Sequence, residues 1–147
     1  MKANELRIGN WVKIKDEIFE EGYLTGYDIY TTNEFQITGF NDGSSMKDCK
    51  VICFYEIPGK LFGGTIHSGC RDLDIDPIPL TEEWLLKFGF VKHKTTDIYP
   101  TFAKQMFNWN DGILYIIGYG FMNHIKHVHQ LQNLYFALTG EELVVKE

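Results

Sequence analysis

Three histidines crowd the segment NHIKHVHQ, at His124, His127 and His129. Imidazole nitrogens bind zinc when they converge with a further His, Cys or carboxylate. On a helix His124 and His127 share a face and His129 points elsewhere. On an extended chain His127 and His129 share a face and His124 lies opposite. Neither geometry gathers three ligands from local sequence, and the chain contains no HExxH. His67 lies in His67-Ser68-Gly69-Cys70. A Cys-His couple activates a thiolate only where the two converge with an orienting third group. The same four residues are equally explained by chain reversal. His67, His124, His127 and His129 are therefore the candidate polar cluster. No catalytic residue is assigned, and no cofactor or metal is expected.

Asp72, Asp74 and Asp76 repeat every second residue, which on a strand places three carboxylates on one face. A calcium loop needs a tight Gly-containing turn and a terminal bidentate Glu, and neither is in register. The expected role is a solvated edge that resists sheet-to-sheet pairing. Gly63-Gly64 and Gly118-Tyr119-Gly120 match no phosphate cradle or dinucleotide fingerprint and read as bends or bulges. Trp109, Tyr115 and Tyr119 offer rings on which bases can stack. Only Lys104 and Lys126 stand near them, so core packing is the preferred reading.

Composition narrows the partners. With 20 acidic and 14 basic residues the net charge is -6, and only Arg7 and Arg71 are arginines. Nucleic-acid binding, which depends on neutralising phosphates, is not expected. Cys49, Cys53 and Cys70 make an odd number, which fits a reducing compartment better than a disulfide framework. There is no apolar core of signal-peptide length and no apolar run long enough to span a bilayer, so a cytoplasmic location without membrane insertion is expected. At 147 residues, 44% of them hydrophobic, the chain can build a core without metal or disulfide.

The elements that must position these residues are most legible at the end of the chain. Val128, Leu131, Leu134/Tyr135 and Leu138 recur at helical spacing, and Gly140 follows where a left-handed cap is cheap. Thr81 can cap a short helix whose first turn holds Glu82 and Glu83, with Trp84, Leu85 and Phe88 apolar and Gly89 ending it. Asn110-Asp111-Gly112 between aromatic and β-branched runs signals a hairpin. Ile113 to Ile117 contains no polar break, which predicts a strand covered on both faces. Asn123 to Lys126 is expected as a further strand. In the first half, Trp11 to Lys15 and Phe35 to Thr38 alternate as half-buried strands, and Gly26 marks a bend. Asn41 to Ser45 reads as a long turn. Val51 to Ile57 is a strand ended by Pro58-Gly59, and Lys60 to Ile66 supplies another.

The expected fold is α+β: an N-terminal curved antiparallel sheet or SH3-like barrel, then a short helix, a β-hairpin or meander, and a C-terminal helix packed on the sheet. LRIGNWVKIK carries the likeness to an SH3-like first strand. Residues 1–76 form an N-terminal β-rich lobe and 77–147 a C-terminal α+β lobe, or the two are one continuous domain.

PIPLTEEWLLKFGF (Pro77 to Phe90) together with HVHQLQNLYFALTGEEL (His127 to Leu143) resembles a family of small uncharacterised proteins encoded by gut Bacteroidales and by their phages and mobile elements. ELRIGNWV (Glu5 to Val12) extends the likeness to the other end; Lys13 to Ile75 lies outside it. The resemblance implies a phage- or mobile-element-type accessory protein and transfers no role to any position. The expected function is a non-catalytic protein-interaction module whose partner is another protein or a second copy. The alternative is a small hydrolase or nucleotide-binding protein whose His and Asp groups converge only in the fold.

Overall fold

The N-terminal strands are built on alternation. In the computed structural model, which describes residues 3–16, 33–42, 51–58, 65–93 and 101–146, Trp11–Ile14 forms β1. Val12 and Ile14 point inward and alternate with Trp11 and Lys13. β2 spans Glu34–Asp42, with Phe35 and Ile37 buried. β3 is Val51–Pro58 and β4 is Thr65–Arg71. A 3-10 turn, Asp72–Asp74, leads to β5, Ile75–Asp76. The strands form one antiparallel sheet in the order β4-β3-β2-β1-β5. β2 shifts register between Ile37 and Gly39, an irregularity that bends a strand. β4 and β5 lie at opposite ends of this order, so the sheet is open rather than a closed barrel. Its core is Leu6, Val12, Ile14, Phe35, Ile37, Cys53, Cys70 and Ile75.

Three readings of this half change. Asn41 and Asp42 belong to β2 rather than to a turn. His67 to Cys70 is not a chain reversal but part of β4, where pairing with β3 overrides the turn preference of Ser and Gly. The aspartates do not form one solvated face, because the 3-10 turn breaks the period of two. Asp74 is only 1% exposed and accepts two hydrogen bonds from the Arg71 guanidinium, at 2.7 and 2.8 Å. Gly26 and residues 43–45 and 60–64 lie outside the described residues.

The chain divides into two compact units, Met1–Ile78 and Pro79–Glu147. In the second, α1 is Glu82–Lys87; the Thr81 hydroxyl accepts a hydrogen bond from the Trp84 amide, and Trp84 and Leu85 are buried. β6 (Val91–His93), β7 (Thr101–Lys104), β8 (Phe107–Asn110), β9 (Ile113–Ile116) and β10 (Gly120–Met122) form an antiparallel meander in sequential order. Asp111 (φ 48°) and Gly112 (φ 76°) turn β8 into β9. Two central residues at positive φ are the signature of a type I′ hairpin, whose twist matches its strands. The aromatic run before this turn is itself a hairpin, reversed at Gln105-Met106 between β7 and β8. The strand after β9 comes earlier than Asn123, at Gly120–Met122.

α2, Val128–Thr139, starts at His127 and ends at Gly140 in the left-handed region. The Gln130 side-chain oxygen accepts hydrogen bonds from the backbone amides of Lys126 (2.9 Å) and His127 (3.2 Å) and so caps the first turn. The buried stripe is Val128, Leu131, Gln132 and Tyr135, one helical face. Leu134 and Leu138 flank it half-buried. Gln132 takes the inward place because its amide donates to the Leu143 carbonyl at 3.3 Å, tying the chain beyond Gly140 back onto the helix. The tail is anchored again where the Lys146 amide donates to the Lys87 carbonyl. The fold is thus α+β with the C-terminal helix on a sheet.

Candidate interaction face

The register of the C-terminal sheet sorts its side chains into two faces. Residues directly opposite one another across antiparallel strands share a face. One row runs Met122, Leu114, Trp109, Phe102, Lys92, and beside it lie Ile116, Phe107 and Lys104. This is the face under α2: the Phe107 and Tyr135 rings meet at 5.1 Å, and Leu114, Ile116, Phe107 and Phe102 have no exposed surface. Lys104 and Lys92 bring their ammonium groups over the rings of Tyr135 and Phe102, at 5.5 and 5.2 Å. Lys104 also donates to the Phe88 carbonyl. Burial, reinforced by the like charge of Lys146, holds the Lys104 amine below its ordinary range. Burial, with a smaller contribution from Glu141, pushes the Tyr135 phenol up.

The opposite face carries the row Phe121, Tyr115, Asn108, Ala103, Val91 and a second row Ile113, Asn110, Thr101, His93. Strand β9 is therefore not covered on both faces as its unbroken apolar run predicts. Leu114 and Ile116 are buried while Ile113 and Tyr115 are exposed. Phe121 is 72% exposed, and its ring packs on Tyr115 at a centroid separation of 5.2 Å. Ile117 and Tyr119, in the turn between β9 and β10, are also exposed. Asn108, Asn110, Asp111, Ile113, Tyr115 and Phe121 line a concavity of about 330 Å³. The Asn110 amide is held by donating to the Thr101 hydroxyl at 3.2 Å. An aromatic wall beside two amides can receive an apolar side chain while hydrogen-bonding the polar groups around it.

The histidines are distributed differently. His67 lies on β4 of the N-terminal unit, in register with Glu56. His124 is exposed in the turn after β10. His127 keeps an extended backbone at the helix start, with its Nδ1 3.3 Å from the Gln130 oxygen. His129 is inside the first turn and buried, and its ring stacks on that of His127 at 5.8 Å. The structure thus brings His127 and His129 together, and His124 stays apart from that stack in the solvent. Among the described residues no group of three His, Cys, Asp or Glu side chains could hold a metal ion.

The sequence pattern of Tyr115, Tyr119 and Trp109 favours the core for all three. Only Trp109 is there. Phe121, Ile113 and Val91 were missed. The strict alternation of Leu114 and Ile116 against Ile113 and Tyr115 becomes a signal only once the hairpin at Asp111-Gly112 fixes which residues face α2. Among the described residues no helix is long and apolar enough to cross a membrane. No family model matches the chain, and neither the curated proteins nor the solved structures include a match.

Proposed function

We propose that this is a phage- or mobile-element-type accessory protein that acts without catalysis, as an interaction module, and that its C-terminal sheet docks on a second copy of itself. The observation that carries this reading is the uncovered aromatic and aliphatic face of that sheet. Ile113, Tyr115 and Phe121 are apolar, exposed and on neighbouring strands of one face, with Val91 exposed at its far edge, and apolar patches of this kind mark association surfaces. The face suits a like partner. Residues 79–147 hold seven acidic and six basic residues, a net of -1 within the chain's -6, and the row from Phe121 to Val91 contains no ionic group. Two such rows can meet without like-charge repulsion, and an isologous contact repeats every favourable pair.

The phage-type origin rests on the resemblance of Pro77 to Phe90 and His127 to Leu143. For the N-terminal unit an SH3-like module is the reading that β1 supports by pairing with both β2 and β5, so that the last strand returns to the first.

Sedimentation equilibrium of the full chain tests the docking. A dimer tighter than about 100 μM, equivalent to roughly -5.4 kcal/mol, is expected. The double variant Tyr115→Ser, Phe121→Ser should stay folded and be monomeric at the same concentrations, with a melt lowered by several degrees because the packed ring pair is lost. A wild-type chain that stays monomeric throughout, or a dimer that ignores the double variant, overturns the proposal.

A further inference from the structure

Two of the three cysteines, 17 positions apart in sequence, are brought directly opposite one another. Cys53 on β3 is in register with Cys70 on β4. Both are in the core of the N-terminal unit, at 0% and 5% exposed. Directly opposed residues of an antiparallel pair have Cα atoms about 4.5 or 5.5 Å apart, depending on whether they are a non-hydrogen-bonded or hydrogen-bonded pair. Either separation lies within the window of about 4.4–6.8 Å that disulfides occupy. Opposed side chains also project from the same face, so the two sulfurs are on the same side of the sheet.

We propose that Cys53 and Cys70 are a cross-strand disulfide site, oxidised by low-molecular-weight disulfides such as oxidised glutathione. Among the described residues β4 ends the sheet order, and Cys70 on it is the less deeply buried of the two residues. Its thiolate attacks the small disulfide, forming a mixed disulfide and releasing one small thiolate. The Cys53 thiolate then attacks the Cys70 sulfur, closing the protein disulfide and releasing the second. Two protein thiols are oxidised, one small disulfide is reduced to two thiols, and the two protons pass to those leaving groups. The link ties together the two strands that flank residues 59–64. Because it constrains the unfolded chain, it should raise the melting temperature of this unit. The competing thiol is Cys49, outside the described residues. The β3-β4 register pairs Cys53 with Cys70.

The test uses the full wild-type chain and a Cys49→Ser variant, equilibrated with glutathione redox buffers, acid-quenched, alkylated and peptide-mapped. Both proteins should lose about 2 Da intramolecularly, with a Cys53–Cys70 linked peptide and a melt raised by about ten degrees. Three results overturn the proposal: both thiols remaining alkylatable in a buffer that oxidises a reference dithiol, a wild-type link through Cys49, or a Cys53–Cys70 link that lowers the melt.

Discussion

Leu131→Ala and Leu134→Ala separate the face that α2 buries from its flank. Leu131 has no exposed surface, whereas Leu134, three residues on, is half-buried. Truncating a leucine to alanine removes three carbons, worth about 2.4 kcal/mol at roughly 0.8 kcal/mol each when fully buried. A site enclosed on all sides also keeps part of the cavity, which brings the usual total to about 2–5 kcal/mol. Leu131 is beneath the helix on the stripe that includes Tyr135, whose ring packs on Phe107 of the sheet, so about 3 kcal/mol is expected. At Leu134, which keeps most of its surface buried, the larger part of the transfer loss and little cavity give about 1.5 kcal/mol. Urea unfolding followed by tryptophan fluorescence in a Trp11→Phe background reports on Trp84 and Trp109, both buried in the C-terminal unit. With a slope of about 1–1.5 kcal/mol per M, Leu131→Ala should lower the midpoint by about 2 M or more and Leu134→Ala by about 1–1.5 M. Equal shifts, or a loss below about 1 kcal/mol at Leu131, would refute the assignment of the stripe.

Removing the Arg71 partner with Arg71→Met leaves the Asp74 carboxylate, 1% exposed, without its two guanidinium bonds; a loss of about 2–4 kcal/mol in the N-terminal unit is expected by chemical denaturation, and a change under about 0.5 kcal/mol would show the pair to be solvated. Gly112→Ala meets no neighbouring atom, so only the strain of φ +76° acts. A calorimetric loss of about 1–2 kcal/mol is expected, whereas a stabilised variant would contradict the type I′ turn. Because the folded state depresses the Lys104 amine, the unfolded chain binds more protons below the ordinary value of about 10.4, and this group's contribution to stability rises with pH through that interval. The unfolding free energy of wild type minus that of Lys104→Met should therefore climb as pH rises toward about 10.4; a flat difference would show that Lys104 titrates alike in both states. The raised Tyr135 phenol acts in the opposite sense above its ordinary range, but it is common to both proteins.

By itself the sequence determined the features whose causes are local. Thr81 with two glutamates starts α1, Gly140 stops α2, Asp111-Gly112 makes the hairpin, and Val12 and Ile14 alternate with Trp11 and Lys13 on β1. Capping, left-handed glycine and the periods of 2 and 3.6 act within a few residues, so they can be read from a few residues. Burial and pairing partners are not of that kind. Gln132 lies inside because the Leu143 carbonyl returns to meet it, and Asp74 lies inside because a 3-10 turn sets it on Arg71. Cys53 faces Cys70 because β3 and β4 settle into one register among several that their apolar residues would accept. The open aromatic face was hidden for the same reason. An unbroken apolar strand reads identically whether one helix covers it or two layers do, and only the tertiary structure decides that α2 covers Leu114 and Ile116 while Tyr115 and Phe121 remain in solvent.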